Sequence, residues 1–154
     1  MCGIFGLVVT KQGIVSDKII RTTINILFSL SESRGKEASG VAVSGGSKTS
    51  VLKMPTRGTA LIRSDEYNSL MGPPKNDSRM GFPCAFIGHT RLATNGTYSD
   101  NTNNQPVIGK SSVVVHNGII VNTDQLWKRH SYLHKKLDVD TEIFIQLYEH
   151  YVKL

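Results

Sequence analysis

The chain opens with Met1-Cys2-Gly3-Ile4-Phe5-Gly6-Leu7-Val8-Val9. Residues 3–9 form a continuous apolar run with β-branched and aromatic members, which is typical of a buried strand. Because the run begins directly after Cys2, we expect the N-terminus to be fixed within a sheet. If Met1 is removed, Cys2 becomes the first residue and carries both a thiol and an α-amine.

Such a cysteine can act as a nucleophile that brings its own base. The α-amine has a pKa of about 7.7–8.0, so it can take the thiol proton and later donate it to a leaving group. The alternative is that Cys2 is a small apolar residue that packs ahead of the strand. Cys84 lies in a second apolar run and is interpreted as an inert core residue. No CxxC pair and no secretory signal are present, so we expect no disulfide.

The composition is that of one globular domain, with 154 residues, 39% apolar and 19% charged. The net charge of +6 comes from scattered basic residues, with one small cluster at Lys128, Arg129, Lys135 and Lys136. Nucleic-acid binding requires clustering more than net charge, so no nucleic-acid partner is expected. No apolar run approaches the roughly 20 residues of a membrane helix, and the N-terminus lacks a signal peptide. We therefore expect a cytoplasmic protein without a membrane partner.

The hydrophobic periodicity predicts an α+β arrangement. Strands are predicted over residues 3–9, 38–43, 49–54, 84–90 and 113–116. Helices are predicted over residues 17–33, near 61–70, over 124–133 and over 141–152. The apolar face of the first helix is predicted to carry Ile20, Ile24, Leu27 and Leu30. That of the last helix is predicted to carry Ile143, Phe144, Leu147, Tyr148 and Tyr151.

Two longer motifs follow the N-terminal block in the chain. They read Gly88-His89-Thr90-Arg91-Leu92-Ala93-Thr94-Asn95-Gly96 and Val113-Val114-Val115-His116-Asn117-Gly118-Ile119-Ile120. Weaker ones are Ser33-Arg34-Gly35, Ser39-Gly40-Val41-Ala42-Val43 and Asp138-Val139-Asp140-Thr141-Glu142. Together and in this order, the blocks resemble the signatures of the class II glutamine amidotransferases, nearest to the glucosamine-fructose-6-phosphate aminotransferase branch. The resemblance spans nearly the whole chain, residues 1–154.

The resemblance implies an N-terminal-nucleophile hydrolase fold, a four-layer αββα sandwich of two antiparallel sheets. The chain is expected to hold the front part of a type 2 glutamine amidotransferase domain, with an incomplete second sheet and no acceptor or synthase domain. It also implies hydrolysis of L-glutamine to glutamate and ammonia by Cys2, without a cofactor or metal. The ammonia would pass to an acceptor such as a sugar phosphate, on another domain or subunit.

The same resemblance assigns an oxyanion hole to the Asn117 side-chain amide and the Gly118 backbone N–H. The alternative for this pair is a type I′ turn between two strands. Arg91, with Thr94 and Asn95, is implied to bind the glutamine α-carboxylate, which a guanidinium can grip at two points.

Asp140 is implied to bind the α-ammonium, or alternatively to cap the following helix. Arg34 is implied to organise the N-terminus, or alternatively to bind carbonyl groups at the end of the first helix.

The sequence also departs from the hexosamine-forming branch. That branch usually has Trp where Leu92 stands and His where Asn95 stands, and it has Tyr-Asp-Ser-Ala where residues 36–39 read Lys-Glu-Ala-Ser. The acceptor is therefore left open. Two other functions stay open as well: a non-catalytic glutamine-binding or assembly module, and an N-terminal-nucleophile amide hydrolase with another substrate.

The remaining candidates receive structural interpretations. His130 and His134 have the i, i+4 spacing of a helical metal site, but no Glu in an H-E-x-x-H pattern accompanies them, so zinc is not predicted. His89 and His116 are interpreted as hydrogen-bonding residues at strand ends, because an N-terminal nucleophile needs no separate base. Trp127 is interpreted as a packing residue.

Overall fold

A computed structural model describes residues 1–10, 15–72, 83–92 and 99–152. Its strands are β1 (Gly3–Val9), β2 (Ala38–Gly45), β3 (Lys48–Met54), β4 (Cys84–Arg91), β5 (Val107–Ile108) and β6 (Val113–Val114). Its α-helices are α1 (Asp17–Ser31), α2 (Gly58–Leu61), α3 (Asp65–Met71), α4 (Thr123–Arg129) and α5 (Thr141–Val152), and short 3₁₀ helices span Glu32–Arg34 and Asn101–Asn103. The α+β arrangement predicted from the sequence is confirmed.

The larger sheet is antiparallel, in the order β1-β4-β2-β3. β4 lies at its centre, where its residues pair with β1 on one side and with β2 on the other. Gly3 is opposite Thr90, and Ala38 is opposite Arg91. This register brings the start of β1 next to the end of β4, which joins the first and second sequence motifs in space.

α1 covers one face of this sheet. Ser16 caps the helix by accepting a hydrogen bond from the Ile19 N–H. The face that packs on the sheet consists of Ile20, Ile24 and Phe28, all fully buried. Each such side chain contributes about 1.5–3 kcal/mol through removal of apolar area from water. The prediction of Leu30 on this face is wrong, because Leu30 is 67% exposed and Phe28 takes the inward position one turn after Ile24.

Three other predicted elements differ from the structure. The single helix near residues 61–70 is two short helices, because the Ser64 hydroxyl caps a new helix by accepting from the Tyr67 N–H. The strand over 113–116 ends at Val114, since the backbone of His116 is bonded to a side chain instead of a strand. The helix over 124–133 ends at Arg129, where His130 leaves helical geometry.

α5 begins and ends as predicted, but it is rotated relative to the predicted apolar face. Its buried residues include Glu142, Ile143 and Ile145, whereas Phe144 is 51% exposed. The tyrosines predicted to face the core, Tyr148 and Tyr151, are also exposed. Two carboxylates on the inner side, Glu142 and Glu149, accept hydrogen bonds from backbone N–H groups of neighbouring loops. These bonds fix the rotation, so apolar periodicity alone predicts it wrongly.

The second face of the large sheet is covered in part by the segment before β5. The Gln105 carbonyl and the Pro106 ring lie directly over Gly40, where a Cβ atom would collide with both. β5 and β6 then form a small antiparallel pair, and α5 packs against it. Among the described residues no helix combines the length and apolar character that a membrane crossing requires.

Candidate functional site

The Cys2 side chain lies at the end of β4. The Leu92 N–H donates to its Sγ atom at 3.4 Å, and Sγ also lies 3.7 Å from the Leu92 carbonyl oxygen. Cys2 is only half-buried. The β1–β4 register therefore holds a reachable thiol against the backbone of Leu92, the residue that follows Arg91.

This thiol borders a cavity of about 300 Å³, at the lower end of the range for small-molecule sites. Segments that are distant in sequence contribute to the wall: the N-terminus and β4, the loop after β6, helix α4 and the residues before α5. The lining includes Cys2, His89, Arg91, Gln105, His116, Gly118, Ile120, Trp127 and Asp140. Four residues predicted from separate motifs, Cys2, Arg91, Gly118 and Asp140, are thus brought to one cavity.

The Arg91 side chain is held before any ligand binds. It is 8% exposed, and its Nη1 donates to Asn104 Oδ1 at 2.7 Å and to the Asn103 carbonyl at 3.3 Å. A buried guanidinium with fixed direction is suited to a carboxylate, because its donors form a planar fork.

Asp140 faces the loop after β6 across the cavity. Its Oδ2 accepts from the Ile120 N–H at 2.7 Å, and its Oδ1 accepts from the Thr141 hydroxyl at 3.3 Å. Among the described residues, no backbone N–H in the first turn of α5 donates to this carboxylate, so the helix-capping alternative is wrong. Asp140 instead links the start of α5 to the loop that follows Gly118.

The structure also excludes the turn alternative for Asn117-Gly118. A type I′ turn needs positive φ at both central residues, and Gly118 does not have one. A Cβ atom at Gly118 would lie 2.6 Å from Nε2 of His116, so a larger residue here would displace that ring. Gly118 lines the cavity, whereas Asn117 is exposed and does not.

The other predicted site residues lie elsewhere. Arg34 is exposed and borders a neighbouring groove that Met1 and Leu92 also line. Its guanidinium makes no hydrogen bond within the described part of the chain, so the proposed bonds to helix-end carbonyls are not observed. Thr94 and Asn95 lie outside the described residues.

Three residues that were interpreted as structural, His89, His116 and Trp127, border the same cavity. Trp127 is half-buried and forms part of the cavity wall. Its position on a predicted helix does not indicate which side of that helix faces the cavity. His89 is 1% exposed, and within the described ranges neither ring nitrogen meets strict hydrogen-bonding geometry, although the His116 backbone lies close enough to affect its pKa. Burial lowers the pKa of His89 to about 4 and the nearby Arg91 charge adds to this, while the His116 backbone opposes it. His89 is therefore a neutral imidazole at physiological pH.

Comparison with known proteins gives relatives for the whole chain. Residues 89–154 match a family model described as a glutamine amidotransferase domain. A glutamine–fructose-6-phosphate aminotransferase (isomerizing) of Streptococcus agalactiae serotype V is 32% identical over 157 residues, which cover 99% of this chain and 22% of that protein. An amidophosphoribosyltransferase of Methanocaldococcus jannaschii is 32% identical over 130 residues, which cover 82% of this chain and 24% of that protein.

The fold has solved counterparts as well. The structure of an allosteric regulatory enzyme of purine biosynthesis matches 95% of this chain and 29% of its own, with a TM-score of 0.68 at 25% identity. A glutamine phosphoribosylpyrophosphate amidotransferase from B. subtilis matches with a TM-score of 0.60 at 25% identity, over 92% of this chain and 28% of its own. The chain thus spans less than a third of the length of each of these proteins.

Proposed function

We infer the chemistry of this chain from its family, because it is homologous in sequence and in fold to the class II glutamine amidotransferase domains. We propose that it hydrolyses the side-chain amide of L-glutamine through Cys2. The observation that carries the proposal is the single cavity that Cys2, Arg91, Gly118 and Asp140 share. A nucleophile, a carboxylate-binding cation, a backbone donor and an ammonium-binding anion are the groups that such a substrate requires.

The reaction begins once Met1 is removed, and Met1 is 76% exposed and open to an aminopeptidase. The freed α-amine of Cys2 takes the thiol proton while Sγ bonds to the amide carbon. The resulting oxyanion is stabilised by the Gly118 N–H, and by the Asn117 side-chain NH₂ once that side chain turns from its exposed position toward the cavity. Collapse breaks the C–N bond, and the amine donates its proton to the departing ammonia. Water then attacks the thioester, which releases glutamate and restores the thiol.

Substrate selection follows from the charges on either side of the thiol. The Arg91 guanidinium binds the α-carboxylate, and Asp140 binds the α-ammonium with the part of its carboxylate that Ile120 and Thr141 leave accessible. An amide that lacks either α-substituent forgoes the contact with one of these two groups, so it binds more weakly than glutamine.

The fate of the ammonia follows the relatives. The two sequence relatives and the B. subtilis enzyme carry a sugar phosphate or a phosphoribosyl group in their names, so we propose transfer of the ammonia to an acceptor on a synthase domain or subunit. Leu92, at the position where the hexosamine-forming branch usually has Trp, gives the site a smaller apolar neighbour next to Cys2. We place the reaction in the cytoplasm, where a reducing environment keeps the thiol free.

The proposal is tested by intact mass and by turnover. We expect the purified protein to lack Met1 and to gain one adduct from an electrophilic glutamine analogue. We expect Cys2→Ala to abolish both the adduct and ammonia release. Cys84→Ala is the matched control, because burial and the nearby Asp17 carboxylate raise the pKa of the Cys84 thiol and keep it unreactive.

Three outcomes would contradict the proposal in different ways. Retention of Met1 in an active preparation would exclude the α-amine as the base. Equal loss of activity in both cysteine variants would mean that the nucleophile is misassigned. Calorimetric binding of glutamine without any turnover, in a protein that has lost Met1, would favour the non-catalytic binding module.

A further inference from the structure

We propose that Gln105 is a positioning residue that holds the oxyanion loop, defined as residues 116–120, in its working conformation. The inference rests on the proposed function of that loop. Gln105 comes from the polar segment ahead of β5, and neither the sequence motifs nor the comparisons assign it a role. It acts through the backbone of His116 and not on the substrate.

The Gln105 carboxamide forms a matched pair of hydrogen bonds with one residue of the loop. Its Oε1 accepts from the His116 N–H at 2.5 Å, and its Nε2 donates to the His116 carbonyl at 3.0 Å. The side chain therefore occupies the place of a neighbouring strand, just where β6 stops at Val114. A primary amide can do this because it offers an acceptor and a donor side by side.

The backbone of Gln105 is itself fixed. Gln105 is 8% exposed, and its carbonyl lies against Gly40 on β2 so closely that a Cβ there would collide with it. Val107, two residues later, is fully buried. The Gln105 carboxamide is thus fixed relative to the large sheet. Its two hydrogen bonds with the His116 backbone therefore fix His116 relative to that sheet as well.

The far end of the loop has its own anchor. The Ile120 N–H donates to Asp140 Oδ2 at 2.7 Å. Thr141 Oγ1 connects the two anchors, since it donates to Asp140 Oδ1 at 3.3 Å and lies 3.4 Å from both Gln105 Nε2 and His116 Nδ1. The loop is held at residues 116 and 120, and the Asn117 and Gly118 donors lie between these points.

Such anchoring matters for rate more than for binding. An oxyanion hole accelerates a reaction because its donors are already oriented when negative charge develops. Loss of the His116 bonds lets the Gly118 N–H sample other directions, which weakens the transition state while leaving Arg91 and the ground-state contacts in place. The expected signature is a lower kcat with little change in KM.

The test uses Gln105→Met, which keeps the approximate length and volume of the side chain but removes both hydrogen bonds with His116. Gln125→Met, on the exposed surface of α4, is the control. We expect Gln105→Met to lower kcat for glutamine hydrolysis about 10- to 100-fold with KM within about threefold, somewhat less than the effect of removing a donor outright. Gln125→Met should match the wild type in both parameters.

A second comparison separates positioning from general damage. If Gln105 acts through the oxyanion loop, Gln105→Met should cost at least threefold less in kcat in an Asn117→Ala background than in the wild type, because one of the two donors that it orients, the Asn117 side-chain amide, is already gone. Fully additive losses, an unchanged kcat, or a rise in KM alone would overturn the inference while leaving the proposed function intact.

An activity-independent measurement covers the case in which the wild type does not hydrolyse glutamine. Amide hydrogen exchange should be at least tenfold faster at His116 in Gln105→Met than in the wild type or Gln125→Met, since that N–H has lost its acceptor. Unchanged exchange at His116 would overturn the inference whether or not the protein is active. Absence of glutamine hydrolysis with accelerated exchange would refute the proposed function alone.

Discussion

At the scale of single residues, the cavity contains charges that are oriented in the absence of substrate. Arg91 is bound by Asn103 and Asn104, and Asp140 is bound by Ile120 and Thr141. These contacts fix the side chains in advance, so a ligand need not order them on binding. Selectivity for a free amino acid should therefore depend on the geometry of these groups as well as on their charge.

Arg91→Lys tests this dependence. The lysine keeps the charge but cannot make the planar two-point grip, so glutamine should bind more weakly by about 2–5 kcal/mol. Discrimination against an analogue with an amidated α-carboxylate should fall by a similar factor. kcat/KM for both ligands, or calorimetric binding, measures the effect, and Arg129→Lys on the exposed surface of α4 is the control. Unchanged selectivity would refute the carboxylate role of Arg91.

Some residues of the site can be predicted from the sequence, and others cannot. Cys2, Arg91, Gly118 and Asp140 are predictable because each belongs to a motif whose residue types serve one chemistry, and the structure brings these four together. Gln105 is not predictable in this way, because its partner is the backbone of His116, eleven positions later, and a run rich in Asn and Ser reads as an ordinary loop.

At the scale of elements, α5 is an amphipathic helix with its carboxylates inside. Glu149 accepts from the backbone N–H groups of Lys110, Ser111 and Ser112 and from both serine hydroxyls. Partial burial acts to raise the pKa of Glu149, but these hydrogen bonds outweigh it and lower the pKa to about 2. The helix thereby holds the turn between β5 and β6.

Glu149→Gln should weaken that attachment in a pH-dependent manner. An amide places an NH₂ donor against N–H donors, so the variant should be less stable at pH 7 by about 1–2 kcal/mol after allowance for solvent screening. Because the folded pKa is below the unfolded value of about 4.3, the advantage of the wild type exists above that pH and disappears as the pH falls toward 2.

Urea unfolding from pH 7 to pH 2 measures this difference, and Glu66→Gln, at an exposed position of α3, is the control. A gap between wild type and Glu149→Gln that stays constant across the titration would contradict the assignment.

The elements themselves were largely predictable, for physical reasons that also explain the errors. β1, β2, β3 and β4 are buried apolar runs or turn-linked pairs, and they occur as predicted, within two residues at each end. The predicted rotation of α5 is wrong because hydrogen bonds from distant loops determine which side of the helix faces inward. Backbone N–H groups of those loops donate to Glu142 and Glu149. Apolar spacing contains no information about such partners.

At the scale of the whole molecule, the fold is the N-terminal-nucleophile type that the motifs implied. The interior beneath the cavity is less stable toward acid than an apolar core, because β4 carries the fully buried, neutral His89 at the centre of the sheet. Burial lowers the pKa of His89 from 6.5 to about 4, so protonation of His89 is coupled to unfolding of the whole chain.

The unfolded chain takes up a proton at His89 near pH 6.5, whereas the folded protein does so only near pH 4. Between these values the unfolded state binds more protons, so stability is highest above pH 6.5 and falls as the pH decreases. The His89 contribution from pH 7 to pH 5 is about 2 kcal/mol. We expect His89→Gln to show a flatter pH dependence of the unfolding free energy over this range, and His134→Gln, at an exposed position, to follow the wild type. Identical slopes in all three proteins would disprove the assignment.

The β1–β4 register restricts how this protein can change during evolution. Insertion or deletion of one residue in either strand would shift the ladder by about 3.3 Å and turn every following side chain to the opposite face. Cys2 directly precedes β1 and Arg91 ends β4, at the edge where Gly3 pairs with Thr90, so a length change within either strand separates the nucleophile from the carboxylate site. We expect homologues to keep both strand lengths invariant and to diversify by substitution there, with insertions and deletions accepted only outside the ladder.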